Sequence, residues 1–471
     1  VDVIVVGLGA AGGAAALMAA AAGAQVLVLE KMAAPGGCTA LSYGAFAAPG
    51  TILQTSRGIV DSPGRMFDWW TKAGMGVTDP DVLMAYCENA AGAWQWLANL
   101  IDSQIGATDP TKLWNAPCFS GSSFVTPSDV IPRWSYFLGS SPTLPALGAG
   151  EFKAVYNAIK ATPNIQVMLS TPAVGLVTNN GEVVGVQAVA NDDVSYFEAK
   201  RAVVLTTGDY SRNDEMSLVY SPFNYYAKKT TALGSTGDGI RMGQQVGADL
   251  SGMGGCMATS VIAVSGSVSS STSIYVNNRG QRFVNEDNMS IPASQLAPAY
   301  VPASWTSYYQ GFAIFNQDQM QAWAIFDTAG KGTNTLTAPT VQGSTIPALA
   351  AALGINPTAL TNTVNLWNTD AANKVDTLYG RPENFFQLST PPYYATPLTW
   401  DSILAHGGLK INSRTQVLDT LGNPISRLYA AGSTTGGIMG RFYQHSGGGI
   451  GSANTLGLIA GKNAAAEIPW S

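Results

Sequence analysis

The sequence predicts an α/β protein. Three observations carry that prediction. Val1 to Gly13 read VDVIVVGLGAAGG, an apolar strand that runs into a Gly-x-Gly-x-x-Gly turn at Gly7, Gly9 and Gly12. An alanine-rich helical stretch follows, and then a second strand, QVLVLE, which ends in Glu30. Two distant segments, RAVVLTTGDYS from Arg201 and RLYAAGSTTGG from Arg427, repeat the form of an apolar strand ending in glycine. Strand, glycine triplet, helix, strand and terminal acid, in that order, describe a Rossmann-type unit that holds a dinucleotide.

Each element of that unit has a physical task. Gly7 permits the tight turn, Gly9 lets backbone approach a pyrophosphate, and Gly12 lets helix and strand pack closely. Ala10 and Ala11 open the helix, whose N–H groups and partial positive charge suit phosphates. Glu30 is placed to accept hydrogen bonds from ribose hydroxyls, with Lys31 and Met32 beside it. The turn at Gly36-Gly37 leads into Cys38, Thr39, Ser42 and Gly44, small residues that suit a cofactor extending past its ADP end. An extended dinucleotide needs distant segments to converge on it, and this favours FAD over NAD. The converging positions are Ala173, Val174, Thr206, Thr207, Gly208, Asp238, Gly408, Ala431, Gly432, Gly449 and Ile450.

The chain of 471 residues is long enough for two domains. It is 46% hydrophobic and 11% charged, with a net charge of −6. No lysine or arginine cluster occurs, which argues against a nucleic-acid partner. Four cysteines (Cys38, Cys87, Cys118 and Cys256) and two histidines (His406 and His445) are scattered, so neither a metal site nor a disulfide framework is expected. No signal peptide or membrane-spanning run is visible. A cytoplasmic location is expected, with association at a membrane surface left open.

Along the chain, capped helices are expected after Asp61 and Asp79. Residues Asn164 to Phe197 read as an antiparallel meander with a turn at Asn179 to Gly181. A helix is expected after the glycine turn at Ser235. The texture changes near Ser265, where Ser- and Pro-rich sequence begins, and one helix is expected from Pro347 to Thr369. The expected organisation is an FAD-binding domain over 1–263 and 401–471, with a smaller α+β catalytic cap inserted over 264–400.

The motifs GLGAAG, VLEK, GGCTALS, DSPGRMFDWW, VVLTTGDYS, STGDGIRMG, NNRGQRFVNE, PPYYATP, HGGLKI, LYAAG and GLIAG run through nearly the whole chain. Together they resemble the FAD-dependent family of fumarate reductase flavoproteins and 3-ketosteroid dehydrogenases. The resemblance implies non-covalent FAD, because covalent members use a histidine near the glycine-pair segment and none is present there. It also separates two branches. The fumarate reductases clamp a dicarboxylate with arginines and histidines. Here the inserted region carries only Arg279, Arg282 and Arg381, the stretch after AIFD lacks arginine, and Ile403 stands where that branch has a histidine.

The ketosteroid branch polarises a ring ketone, a base removes a neighbouring proton, and hydride passes to flavin N5. In that branch a tyrosine, followed four residues later by a glycine, supplies the two donors to the ketone oxygen. Tyr443 and Gly447 occupy those places, and Ser446-Gly447 matches an alternative pattern of the same branch. The basic tyrosine of that branch follows the Asn-Glu motif, but here Asp287, Asn288, Met289 and Ser290 follow it. His445, Tyr394 and Tyr300 are therefore the remaining candidates for proton transfer. The resulting expectation is an oxidoreductase that introduces or reduces a C=C bond beside a ketone in an apolar cyclic substrate. The residues do not identify its electron acceptor. A fumarate- or enoate-type reductase and a non-enzymatic flavin-fold binding protein are the alternatives.

Overall fold

Val3–Val6 and Val26–Leu29 are apolar at every position, and each is buried along its whole length. Such runs suit a parallel sheet covered on both faces. In the computed structural model they pair in parallel at the centre of a six-stranded sheet. The structure describes residues 1–74, 77–106, 113–115, 117, 131–139, 144–190, 193–263, 266–267, 270–286, 322–331, 335–336, 341–381, 384–440, 443 and 447–470. The strand order is Gln416–Leu418, Pro424–Ala430, Ala202–Leu205, Val3–Val6, Val26–Leu29 and Ile165–Met168. The strands of the three glycine-ended segments are thus direct neighbours, and their turns lie at one edge of the sheet.

The helix Ala10–Ala21 packs against the last helix, Gly448–Ala466. The two backbones approach so closely that a Cβ on Gly461 would lie 2.2 Å from the Ala15 carbonyl oxygen. The expected capped helices are Pro63–Ala73, capped by the Ser62 hydroxyl, and Pro80–Ile105, capped by the Asp79 carboxylate. Trp69 and Trp70 on the first of these are core residues.

Two expectations about the secondary structure need correction. Ile165–Met168 does not belong to the meander; it pairs in parallel with Val26–Leu29 as the edge of the main sheet. The meander is Ala173–Asn179, Glu182–Ala190 and Asp193–Glu198, with Asn180 and Gly181 both at positive φ in its first turn. The single helix expected from Pro347 is two helices, Ile346–Leu353 and Pro357–Asn373. Gly354 ends the first with φ 70°, and the Asn356 side chain caps the second.

A second sheet is built on the 13-residue strand Tyr393–Ala405. Along it pair Ala322–Asp327, Cys256–Ala263, Val341–Gly343 and Lys228–Lys229, and Ile274–Asn277 pairs beyond Ala322–Asp327. The expected limits at 264 and 400 therefore fall within a hydrogen-bonded sheet, because strands from both sides of each limit share its ladder. Trp367, Leu360, Leu349 and Ile325 form the apolar core of this part. Among the described residues, no helix is long and apolar enough to cross a membrane, and no cluster of ligating side chains could hold a metal.

Candidate active site

At the glycine edge of the main sheet lies a cleft of about 500 Å³. Its geometry follows from the turn that closes the first strand. Gly7 has φ 97°, and a Cβ on Gly12 would lie 2.0 Å from the Gly7 carbonyl oxygen. The Thr206 hydroxyl donates to the same oxygen at 2.8 Å and ties the third strand to the turn. Gly9 differs, since a Cβ there would meet nothing nearer than the Thr39 hydroxyl at 3.5 Å. Gly9 lines the cleft, so its bareness serves the close approach of a ligand rather than internal packing.

The Glu30 carboxylate is held in place by two backbone donors. Leu8 N–H and Met32 N–H each donate to one of its oxygens at 2.8 Å. Each oxygen keeps a second lone pair for a ribose hydroxyl. The Thr39 hydroxyl accepts from Ala10 N–H at 2.9 Å, which fixes the Gly37–Leu41 helix against the glycine turn. Lys31 bridges to Asp238 at 2.8 Å and donates to the Thr236 hydroxyl at 2.6 Å.

Most of the expected cofactor positions line this cleft: Gly7, Gly9, Ala10, Ala11, Glu30, Lys31, Met32, Gly37, Cys38, Thr39, Ala173, Thr206, Thr207, Gly208, Asp238, Ala431 and Gly432. Others stand behind it. The Ser42 hydroxyl donates to the Thr39 carbonyl and accepts from Gly44 N–H, so it shapes the turn. Gly44 packs against the Gly148 backbone, and Gly408 against the Thr434 carbonyl. Val174 is exposed, and Ile450 is half-buried one residue beyond Gly449. Sequence reasoning passed over Asp209, Ser235 and Ser433, which also line the cleft. Asp209 carried a readable signal, an acid directly after Gly208 in a turn facing the cofactor.

A second, smaller cavity of about 30 Å³ shares Gly432 and Ser433 with the cleft. It is lined by His406, Ile438, Met439 and Gly449, among others, and no charged side chain is among its walls within the described residues. His406 is buried, and its Nδ1 faces the Gly440 carbonyl oxygen at 3.2 Å. That contact requires a proton on Nδ1 and leaves Nε2 as an acceptor, and Nε2 is buried without a partner among the described residues. Burial pushes the imidazole pKa down to about 4, so the ring is neutral at physiological pH.

The Tyr443 ring lies 6.0 Å from the His406 ring. Its hydroxyl oxygen accepts the Gly449 N–H at 2.8 Å, which leaves its hydrogen available to another acceptor. Burial raises its pKa to about 12, against the Gly449 and Gly447 amides that favour the phenolate. The Gly447 amide thus lies toward the tyrosine oxygen itself, at the start of the last helix. Tyr394 lies elsewhere. It is buried in the second sheet, stacked on Phe326 at 5.6 Å with Lys331 over its ring, and it lines neither cavity. His445, Ser446 and Tyr300 lie outside the described residues.

Two of the arginines named from the sequence, Arg282 and Arg381, are structural. Arg282 binds Glu286 at 2.6 Å and Asp376 at 2.9 Å, and Arg381 lies 3.5 Å from Glu286. Burial disfavours the charge on Arg282, but the two carboxylates outweigh it and hold the guanidinium pKa above its usual value.

Residues 2–450 match the FAD binding domain family, and the chain belongs to it. Digoxin reductase of Eggerthella lenta is 27% identical over all of this chain and 88% of its own length. Urocanate reductase of the same organism is 31% identical, over 99% of this chain and 75% of its own. The solved 3-ketosteroid-Δ4-(5α)-dehydrogenase of Rhodococcus jostii RHA1 superposes with a TM-score of 0.73 at 27% identity, covering 99% and 97% of the two chains. Fumarate reductases are relatives as well. The protein is an FAD-dependent oxidoreductase acting on C=C bonds. The glycine cradle, the fixed Glu30 carboxylate and the shared wall at Gly432 fit FAD.

Proposed function

We propose that the chain introduces or reduces a C=C bond beside the ketone of a neutral cyclic substrate of the 3-ketosteroid kind. The observation that supports this reading is the Tyr443 hydroxyl. Its oxygen is held by a backbone donor, and the adjoining cavity walls carry no arginine or lysine among the described residues. A cavity of about 30 Å³ admits a group the size of a carbonyl or a water.

Bound FAD would supply hydride transfer, without a covalent link, since no histidine lies near Gly36. Tyr443 would donate to the ketone oxygen and stabilise the charge that develops there as the neighbouring carbon exchanges its proton. Neutral His406 offers a fixed acceptor at Nε2. His445 and Tyr300 remain the candidates for the base, with Gly447 positioning Tyr443. The second sheet, with its helices, would form the cap over this end of the cofactor. Digoxin and urocanate reductases favour the reducing direction for this chain as well. Mixing the reduced protein anaerobically with enone ketones and with fumarate, while following flavin absorbance, tests the substrate class and the direction together.

A further inference from the structure

Tyr86, on the helix Pro80–Ile105, is fully buried, yet it carries a hydroxyl where a purely apolar ring would fill the same space. That hydroxyl donates to the Ala47 carbonyl oxygen at 2.6 Å. Burial holds its pKa well above the usual phenol range, and Cys87 and Tyr443 add to the rise, so the group stays a donor. A buried phenol that donates to backbone fixes the peptide that accepts from it.

The fixed peptide leads to Tyr443. Ala47 belongs to the short strand Phe46–Ala47, which pairs with Trp134–Ser135. Its N–H donates to the Gly447 carbonyl oxygen at 3.0 Å. The same oxygen accepts the Gly451 N–H at 2.9 Å and so closes the first turn of the helix Gly448–Ala466. Gly447 has φ 86°, and a Cβ there would lie 2.6 Å from the Ala47 nitrogen. A Cβ on Gly451 would lie 2.5 Å from the Tyr86 hydroxyl oxygen. Phenol, strand and helix start therefore meet with no room for a side chain between them. From this seam the Gly449 amide donates to the Tyr443 oxygen at 2.8 Å, and the Gly447 amide lies toward the same atom. Trp70 backs the seam, edge-on to Tyr86 at 5.6 Å. Its indole N–H donates at 2.9 Å to the carbonyl of Ile438, a residue in the wall of the small cavity.

We infer that Tyr86 is a positioning residue for Tyr443: through Ala47 and Gly447 it sets where the Tyr443 hydroxyl stands against the ketone. Tyr86 itself lines neither cavity and acts only through that chain. Placement matters most in the transition state, where the oxygen carries charge and a displaced donor loses most of its effect. The inference rests on the proposed role of Tyr443 and adds a residue to it.

The test is anaerobic reoxidation of the photoreduced holoprotein by a ketosteroid enone, in wild type, Tyr86→Phe, Tyr443→Phe and the double variant. Tyr86→Phe should slow the limiting rate about five- to tenfold, the effect of one ordinary hydrogen bond. The enone concentration giving half the limiting rate should change less than about twofold. In the Tyr443→Phe background the same substitution should change the rate less than about twofold, because the hydroxyl it positions is gone. A limiting rate unchanged by Tyr86→Phe, or an equal slowing in both backgrounds, would overturn the inference and leave the role of Tyr443 standing. A Tyr443→Phe rate within about threefold of wild type, or no reoxidation of wild type by any ketosteroid enone, removes the Tyr443 reading and this inference with it. Should Tyr86→Phe fail to retain FAD, Gly451→Ala, whose methyl would press on the same hydroxyl, replaces it in the comparison under the same criteria.

Discussion

In the second sheet Glu286 and Asp376 share the guanidinium of Arg282, and Arg381 lies against Glu286. Asp209, in the wall of the nucleotide cleft, and Glu151, on the helix Leu147–Ala161, are just as deeply buried, yet among the described residues Asp209 Oδ2 and both Glu151 oxygens lack hydrogen bonds. The first arrangement is closed, since each of its charges faces an opposite charge. The second is open. Glu151 lies behind the flavin-side turn, close enough that a Cβ on Gly44 would be 2.9 Å from its Oε1. Buried ionisable groups that complete one another hold a fold together, and burial pushes those left incomplete toward the neutral form.

The sharpest way to break this comparison is to open the closed cluster. Arg282→Ala should leave the buried Asp376 without its counter-ion and Glu286 with Arg381 alone, and cost about 3–5 kcal/mol, measured by denaturant unfolding. A loss below about 1 kcal/mol would show that the cluster is not the staple proposed here.

Tyr443→Phe tests the open side. Loss of a donor to a developing oxyanion costs about 2.7–4 kcal/mol, so flavin reduction or reoxidation by the substrate should slow ~100- to 1000-fold. Substrate affinity should change far less, because a neutral ketone is a weaker acceptor than the charged transition state. A half-reaction within about threefold of wild type would remove Tyr443 from the chemistry.

Glu30→Ala removes the acceptor of two backbone donors and of the ribose. FAD affinity should fall by about 1.5–3 kcal/mol, or roughly 10- to 100-fold, in a titration of the deflavinated protein. Unchanged affinity would detach Glu30 from the cofactor.

The smallest effect is expected at Glu151. Burial holds its pKa well above the usual carboxylate range, so the folded chain keeps a proton that the unfolded chain releases. The stability from this group is complete below about pH 4.3 and is lost as pH rises toward the folded value. Glu151→Gln should therefore flatten the fall in stability above about pH 4.3 and gain about 1–3 kcal/mol at the alkaline end. A melting profile parallel to that of wild type would contradict the assignment.

The nucleotide half of this picture was legible in the residues. Gly7, Gly12 and Thr206 act through backbone geometry that few other residues satisfy, so their spacing reports their role. Three neighbouring strands of the six-stranded sheet were legible as apolar runs ending in glycine. The edge strand Ile165–Met168 was misassigned because its half-buried alternation looks the same in a meander as at a sheet edge. Gly354 inside an alanine-rich stretch was passed over as a helix end. The substrate end was harder to read. Whether Arg282 clamps a ligand or a carboxylate depends on Asp376, 94 residues away, and no local pattern announces that pairing. Tyr394 invited a functional reading through its PPYYATP motif, but its ring is committed to Phe326 and Lys331.

On the reading proposed above, this flavoprotein acts on a neutral enone or ketone rather than on a dicarboxylate. Anaerobic stopped-flow of the photoreduced protein against a panel of ketosteroid enones and against fumarate tests it most directly. At least one enone should restore flavin absorbance near ~450 nm at a catalytic rate while fumarate leaves it bleached. Rapid reoxidation by fumarate, with every enone inert, would contradict it.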